Sequence, residues 1–315
     1  MAERPVLLQI GQVLASMAPR LAAGFEVIEF SGEIDALDRA DEVVAVATMK
    51  GIGDDVMTAL PNLKIISSFG VGYDSINADL AAERGVIVTH TPDVLNDEVA
   101  DTAIMLWLAV SKELIPSEAW ARSGAWEAEG AYPLTRSVRG QKVGILGLGR
   151  IGQTIAEMCA MFGSEVVYHT RTPKDVPCKH YADLVEMARD VDVIFVITPG
   201  GPATRHLVNA DVMKALGPRG ILVNVARGSV VDEAALVAAL ESGELGAAGL
   251  DVFEAEPAIP AALKRLKNVV LVPHIGSATV ETRAAMGDLV CDNLDQWLVD
   301  GRGVTPVPEC QHLNG

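Results

Sequence analysis

A chain of 315 residues, half of them hydrophobic and 21% charged, has globular composition, and at roughly 150 residues per domain it has length for two cores. The formal net charge of −17, with no cluster of Lys and Arg, argues against a nucleic-acid partner, which needs a basic face. The acidity is read as solubility, so an anionic small molecule would need a local positive site.

No apolar run reaches the roughly 18 residues of a membrane span, so no membrane partner is expected. The apolar run at 6–10 lacks a cleavage region and reads as a first strand. Cysteines at 159, 178, 291 and 310 have no metal-like spacing. No metal site is expected, and reduced thiols in a cytoplasmic protein are.

Residues 6–92 alternate short apolar runs with helical patterns. Strands are expected at 6–10, 25–30, 43–48, 64–69 and 86–89, with helices around 13–22, 54–60 and 77–84, which makes a small parallel α/β domain. The stretch 48–53, TMKGIG, follows the third strand; Met49 and Lys50 are candidate substrate contacts there, and an ordinary turn explains the loop equally well. The fourth strand runs into Phe69-Gly70-Val71-Gly72-Tyr73-Asp74, whose backbone N–H groups could hold a carboxylate. Glycine after a strand is also simply a turn.

From Asn96 the sequence NDEVADTAIMLWLAVSKEL reads as one long helix, apolar on more faces than a single buried stripe requires. It is expected to link the domains, and its extra apolar surface to meet a second subunit or the interior of a large domain. Trp120, Trp126 and Tyr132 follow without strong periodicity, as interface or site wall.

Lys142 to Gly152, KVGILGLGRIG, carries the most specific signal. An apolar strand passes into Gly147, Gly149 and Gly152 and then into a helix expected at 153–162, with a second strand at 165–169. In that context Gly147 permits the tight turn, Gly149 lets backbone approach a pyrophosphate, and Gly152 allows close helix packing, so with Arg150 and Ile151 this is a dinucleotide site. The second strand ends in His169-Thr170-Arg171-Thr172 where NAD enzymes place a carboxylate for the ribose. Nothing there repels a 2′-phosphate; Arg171 offers a charged fork, and Thr170 and Thr172 offer hydroxyls, which points to NADP(H) over NAD(H).

Alternating units continue with strands at 191–198, 220–225, 247–252 and 269–272 and helices around 211–216 and 232–241, a doubly wound sheet. A last helix at 279–300 leads back to the first domain. The expected organisation is residues 1–98 with 288–315 around an inserted nucleotide domain of 99–287. Three strand ends of the nucleotide domain carry polar groups: Asn224-Val225-Ala226-Arg227-Gly228, Asp251 to Pro257, and Pro273-His274-Ile275-Gly276-Ser277. Singly, Arg227, Glu256 and His274 each have a bland explanation as cap, solvated charge or core histidine. Jointly they supply an anchor for a carboxylate, a proton donor near neutrality, and a carboxylate to orient its imidazole.

The stretches GILGLGRIGQTIA, ILVNVARGSVVDEAALVAAL, GAAGLDVFEAEP, NVVLVPHIGSAT and SFGVGYD together resemble the D-2-hydroxyacid dehydrogenases, and within them the NADP-preferring glyoxylate/hydroxypyruvate reductases. The resemblance implies two doubly wound parallel-sheet domains, a flavodoxin-like substrate domain and an inserted Rossmann domain. It implies catalytic roles for Arg227, Glu256 and His274, a nicotinamide contact for Asp251, and a substrate-carboxylate contact for the Val71 and Gly72 amides. Thr198, Pro199 and Gly276 complete the expected cofactor set, and a homodimer is the implied assembly. The implied reaction is reduction of a small 2-oxo acid. Hydroxyphenylpyruvate reduction is the nearest alternative, and a dinucleotide-sensing corepressor-type protein the alternative outside catalysis.

Overall fold

The computed structural model describes residues 4–30, 32–33 and 38–315. By their internal contacts these form two units, Met1–Leu95 with Thr279–Gly315, and Asn96–Ala278; the sequence-based borders fall after 98 and 287.

The first unit is a five-stranded parallel sheet of β1 (Val6–Ile10), β2 (Glu26–Glu29), β3 (Val43–Thr48), β4 (Ile65–Ser68) and β5 (Ile87–Thr89) in the order β2-β1-β3-β4-β5, the flavodoxin-like arrangement. Strand β4 is buried at every position, its Ser67 and Ser68 included. Helices α1 (Ala18–Gly24), α2 (Asp54–Thr58) and α3 (Ala78–Glu83) connect the strands. Helix α1 begins five residues later than the pattern at 13–22 suggests: Pro19 sits in its first turn, where a missing N–H costs no helical hydrogen bond.

The second unit opens with α4 (Asn96–Ser111), α5 (Leu114–Arg122) and α6 (Ala125–Glu129). The helix expected from Asn96 to Leu114 is present as α4 and ends three residues early, at Ser111; Glu113, in a left-handed conformation (φ 49°), separates it from α5. Within the unit α4 packs on α7 (Arg150–Met161) and on the sheet. Its fully buried Trp107 donates to Gln141 Oε1 at 3.0 Å and meets Phe162 and Phe195 edge-on. Internal cover thus accounts for most of the apolar excess of α4.

Seven parallel strands follow, β6 (Val143–Leu146), β7 (Val166–His169), β8 (Lys179–Tyr181), β9 (Val193–Val196), β10 (Ile221–Asn224), β11 (Ala247–Leu250) and β12 (Val269–Leu271), in the order β12-β11-β10-β9-β6-β7-β8. This is the Rossmann order with one added strand. Strand β8 and helix α8 (Leu184–Asp190) went unread in the sequence; a three-residue edge strand, Lys-His-Tyr, has no apolar run to announce it. Helices α9 (Ala210–Leu216) and α10 (Glu233–Ser242) complete the layer, and α11 (Val280–Asp300) belongs to the first unit, where Ser67 donates to its Val290 carbonyl. No helix among the described residues is long and apolar enough to cross a membrane.

Register fixes what matters for function. Leu146 pairs with His169 and Val196, Val196 with Asn224, Asn224 with Leu250, and Leu250 with Leu271. These six residues form one row, so the segments after them leave the sheet along one edge.

Candidate active site

Beyond that row stand Gly147, Thr170, Thr198, Arg227, Asp251 and His274, as the sequence analysis expected of a ligand-binding edge. The glycine turn is dictated by close approach. A Cβ on Gly147, whose φ is 102°, would lie 2.8 Å from the Thr198 amide nitrogen, and one on Gly152 would lie 2.2 Å from the Gly147 carbonyl oxygen. Gly149 caps the N-terminus of α7 and has no protein atom within 4 Å of a Cβ position, so its side is open toward the helix N–H groups. Arg150 and Ile151 form the first turn of α7, and Pro199 accepts a hydrogen bond from Thr204 at 2.7 Å.

At the end of β7 the Thr170 hydroxyl donates to the Thr172 carbonyl at 2.8 Å and so shapes the turn that presents Arg171. The Thr170 carbonyl in turn accepts from His180 at 2.9 Å, which ties this turn to β8. Arg171 and Thr172 are exposed, and no carboxylate ends the strand.

After β10, Asn224 builds a tight turn by accepting from the Ala226 N–H at 3.1 Å and donating to the Arg227 carbonyl at 3.0 Å. Arg227 Nη1 donates to the Ala226 carbonyl at 2.8 Å, which orients the guanidinium. Gly228 then meets the loop after β11 so closely that a Cβ would stand 1.9 Å from the Phe253 carbonyl carbon. This approach brings Arg227 into the field of Glu256.

Glu256 is held twice: Oε1 accepts from the Phe253 N–H at 3.0 Å and Oε2 from His274 Nδ1 at 2.8 Å. Burial raises its pKa, but the His274 and Phe253 hydrogen bonds and the charge of Arg227 outweigh that and leave it below the ordinary carboxylate value. A ring nitrogen facing a carboxylate carries the proton, so Nδ1 is the donor and Nε2 is the atom presented to a reactant. His274 has φ 54°, and Asp251 holds it there: the Asp251 carbonyl accepts the His274 N–H at 2.9 Å, and its carboxylate accepts from Ile275 N at 2.6 Å and Gly276 N at 2.9 Å. Asp251 is 1% exposed, and burial raises its pKa, only partly offset by those two amides.

The sequence reading missed a support beneath this loop. Glu254 Oε1 accepts from His206 Nε2 at 2.6 Å and Arg205 Nη2 at 2.9 Å, while the Glu254 N–H donates to Glu233 at 3.2 Å. DVFEAEP offers two carboxylates two residues apart, and nothing local says that Glu254 turns to Arg205-His206 while Glu256 turns to His274.

The remaining expected contacts lie in the first unit, at the ends of neighbouring strands, since Thr48 pairs with Ser68. Thr48 Oγ1 donates to Gly51 and accepts from the Lys50 N–H, so the loop with Met49 and Lys50 is a side-chain-closed turn with Lys50 exposed. Val71 and Gly72 occupy the turn after β4.

The family model for the D-isomer specific 2-hydroxyacid dehydrogenase, NAD binding domain, matches residues 104–276. Among solved structures, an NADPH-dependent glyoxylate/hydroxypyruvate reductase from Sinorhizobium meliloti, in complex with NADP and malonate, superposes with TM-score 0.94 at 47% identity and 98% coverage of both chains. A glyoxylate/hydroxypyruvate reductase of Arabidopsis thaliana is 47% identical over 82% of each chain. A hydroxyphenylpyruvate reductase of Plectranthus scutellarioides is 46% identical over 85% of this chain and 87% of its own. With the Arg, Glu and His side chains gathered on the nucleotide-binding edge, these matches place the chain in the D-isomer specific 2-hydroxyacid dehydrogenase family.

Proposed function

We propose that this protein reduces small 2-oxo acids, glyoxylate and hydroxypyruvate, to 2-hydroxy acids with NADPH. The observation that carries the reading is His274, held through Nδ1 by Glu256 at 2.8 Å on the same sheet edge as the glycine turn, with Arg227 in the field of Glu256. The similarity to reductases named for these two acids supports the substrate class.

The residues fit a dinucleotide. The open side of Gly149 admits a pyrophosphate to the α7 N-terminus, Arg171 suits a 2′-phosphate, and the Asp251 and Gly276 cluster suits the nicotinamide end. When bound, the cofactor supplies a hydride to the 2-oxo carbon. Charge then grows on the carbonyl oxygen, and His274 delivers a proton to it from Nε2, a contribution of about 10²- to 10⁴-fold. Glu256 keeps Nδ1 protonated and the ring in place, while Arg227 holds the carboxylate and the carbonyl oxygen in near-attack geometry. The Val71 and Gly72 amides are contacts for the substrate carboxylate in this reading, and Met49 and Lys50 are further candidate substrate contacts.

Two copies associate in this reading. Met105, Leu114, Ile115, Trp126 and a fully exposed Leu134 present apolar surface on α4, α5, α6 and the segment after them. Light scattering at the mass of two chains supports this, and a monomer at micromolar concentration refutes it. The four cysteines are free, which suits a reducing cytoplasm.

The deciding experiment is steady-state reduction of glyoxylate, hydroxypyruvate, pyruvate, phenylpyruvate and hydroxyphenylpyruvate with NADPH and with NADH. Fast NADPH-dependent turnover of the two small acids is expected. Preference for the aromatic acids would move the substrate to that of the Plectranthus relative. Tight NADPH binding without turnover would leave a cofactor-sensing protein.

A further inference from the structure

The turn Gly70-Val71-Gly72 is governed by the residues after β5. The Gly70 carbonyl accepts from the Thr91 N–H at 2.9 Å, and the Gly70 N–H donates to Thr91 Oγ1 at 3.0 Å. The Val71 carbonyl accepts from His90 Nδ1 at 3.0 Å. Each carbonyl belongs to a planar trans peptide, in which the N–H of the next residue points the opposite way. Fixing the carbonyls of 70 and 71 toward the 90–91 segment therefore turns the N–H groups of Val71 and Gly72 away from it. Within this unit neither N–H has a recorded acceptor among the described residues. Two successive N–H groups presented together make an anion-binding concavity.

The anchor is itself anchored. The His90 N–H donates to the Thr305 carbonyl at 3.2 Å, and the His90 carbonyl accepts from the Thr305 hydroxyl. That hydroxyl also accepts from Asn293, which is fully buried in α11, at 2.9 Å. Tyr73 stands edge-on to the His90 ring at 5.5 Å, and its hydroxyl donates to Glu309 at 3.1 Å. The imidazole is thus held at its backbone and along one face while its Nδ1–H reaches the turn.

We propose that His90 and Thr91 are positioning residues that aim the Val71 and Gly72 N–H groups as a paired anchor for the carboxylate of a 2-oxo acid. The proposal rests on the functional reading above for the identity of the ligand. His90 touches no reacting atom in this scheme. It sets affinity for the acid and leaves the proton transfer by His274 intact.

The test compares wild type with His90→Ala and His90→Asn, whose amide can still donate to the Val71 carbonyl. Loss of the donor frees the peptide to rotate and is expected to raise KM for glyoxylate about tenfold. Change in kcat below about twofold and an unchanged NADPH affinity are expected with it, since uniform binding alone is lost. The asparagine variant should restore KM. A merely structural role would lower thermal stability and kcat together and would not be rescued by Asn, and that result overturns the proposal. Unchanged KM in His90→Ala overturns it equally. If the wild type turns over none of the acids, the functional reading has failed separately. Oxalate titrated into the NADPH-loaded proteins then reads the anchor directly: weaker binding in His90→Ala with recovery in His90→Asn supports it, and equal affinity in all three proteins, or none in the wild type, overturns it.

Discussion

Gly228→Ala tests whether the loops after β10 and β11 act as one device. The new Cβ would stand 1.9 Å from the Phe253 carbonyl carbon, where ordinary contact begins at 3.4 Å, so one backbone segment must move by about the difference, 3.4 − 1.9 = 1.5 Å. Neither neighbour is a flexible side-chain tip that could swing aside. Phe253 carries the N–H that holds Glu256, and residue 228 follows Arg227, so the displacement moves Arg227 relative to Glu256, the carboxylate that holds His274. A misplacement of about 1 Å at reacting groups costs on the order of 10²-fold in rate. The expected outcome is therefore a fall of at least about 100-fold in kcat/KM for glyoxylate, with NADPH affinity held within a few-fold because Gly147 to Gly152 lie in the turn after β6 and the first turn of α7, away from the displaced segment. Stopped-flow turnover, cofactor fluorescence titration and a thermal melt make the measurement. Near-wild-type turnover in a folded variant would refute the coupling of these loops, and loss of both activities with the fold would leave Arg227→Lys to decide. That variant keeps the charge, loses the fork, and should lose about 10²-fold in kcat/KM.

Other outcomes follow from single contacts. Gly149→Ala meets no protein atom, so the melt should not move while NADPH affinity falls at least about tenfold; an unchanged affinity would place the pyrophosphate elsewhere. Arg171→Ala should reduce kcat/KM with NADPH about tenfold or more and leave NADH untouched, and an equal loss with both cofactors would count against the 2′-phosphate contact. Glu256 has a depressed folded-state pKa, so its contribution to stability is present above the ordinary carboxylate value near pH 4.3 and is lost as pH falls through the lower folded value. The stability gap between wild type and Glu256→Gln should accordingly be flat from pH 7 to about 5 and close only at lower pH. A gap that closes between pH 7 and 5 would contradict the sign.

The sheet and its ligand edge were legible because buried parallel strands are mostly apolar runs and because the glycines at 147 and 152 answer steric demands that no other residue meets. What escaped has a physical reason in each case. The break at Glu113 is a non-glycine left-handed residue, which leaves no compositional trace. Strand β8 is too short and polar to show a period. The Thr170 hydroxyl donates to the Thr172 carbonyl, and which partner a hydroxyl takes is decided by turn geometry that a string of residue types does not contain. His90, Thr91, His206 and Glu254 act through backbone groups or on residues remote in sequence, so their roles depend on register across the sheet and between loops. Periodicity reports which face a residue takes, and such roles depend on what that face meets.

Asp251 shows how two demands are met by one buried carboxylate, and the demands can be separated. Its oxygens accept the N–H groups of Ile275 and Gly276, and its carbonyl accepts that of His274, so the proton donor and the cofactor-side glycine share one support. Burial nonetheless disfavours its charge, as the raised pKa records. Asparagine removes that charge and its desolvation, but it offers one acceptor where two N–H groups arrive, and an unmatched buried donor costs about 1–3 kcal/mol. The two effects oppose each other in stability and add in function, because either amide set adrift loosens the 274–276 turn. Asp251→Asn should therefore melt close to wild type at pH 7 while losing both NADPH affinity and turnover. A raised folded-state pKa makes the wild type gain stability from this group as pH falls, and the variant has no such gain. The wild type should draw ahead of the variant as pH falls through the raised folded-state value toward the ordinary carboxylate range, whereas a difference that does not vary with pH would mean that burial does not govern this carboxylate.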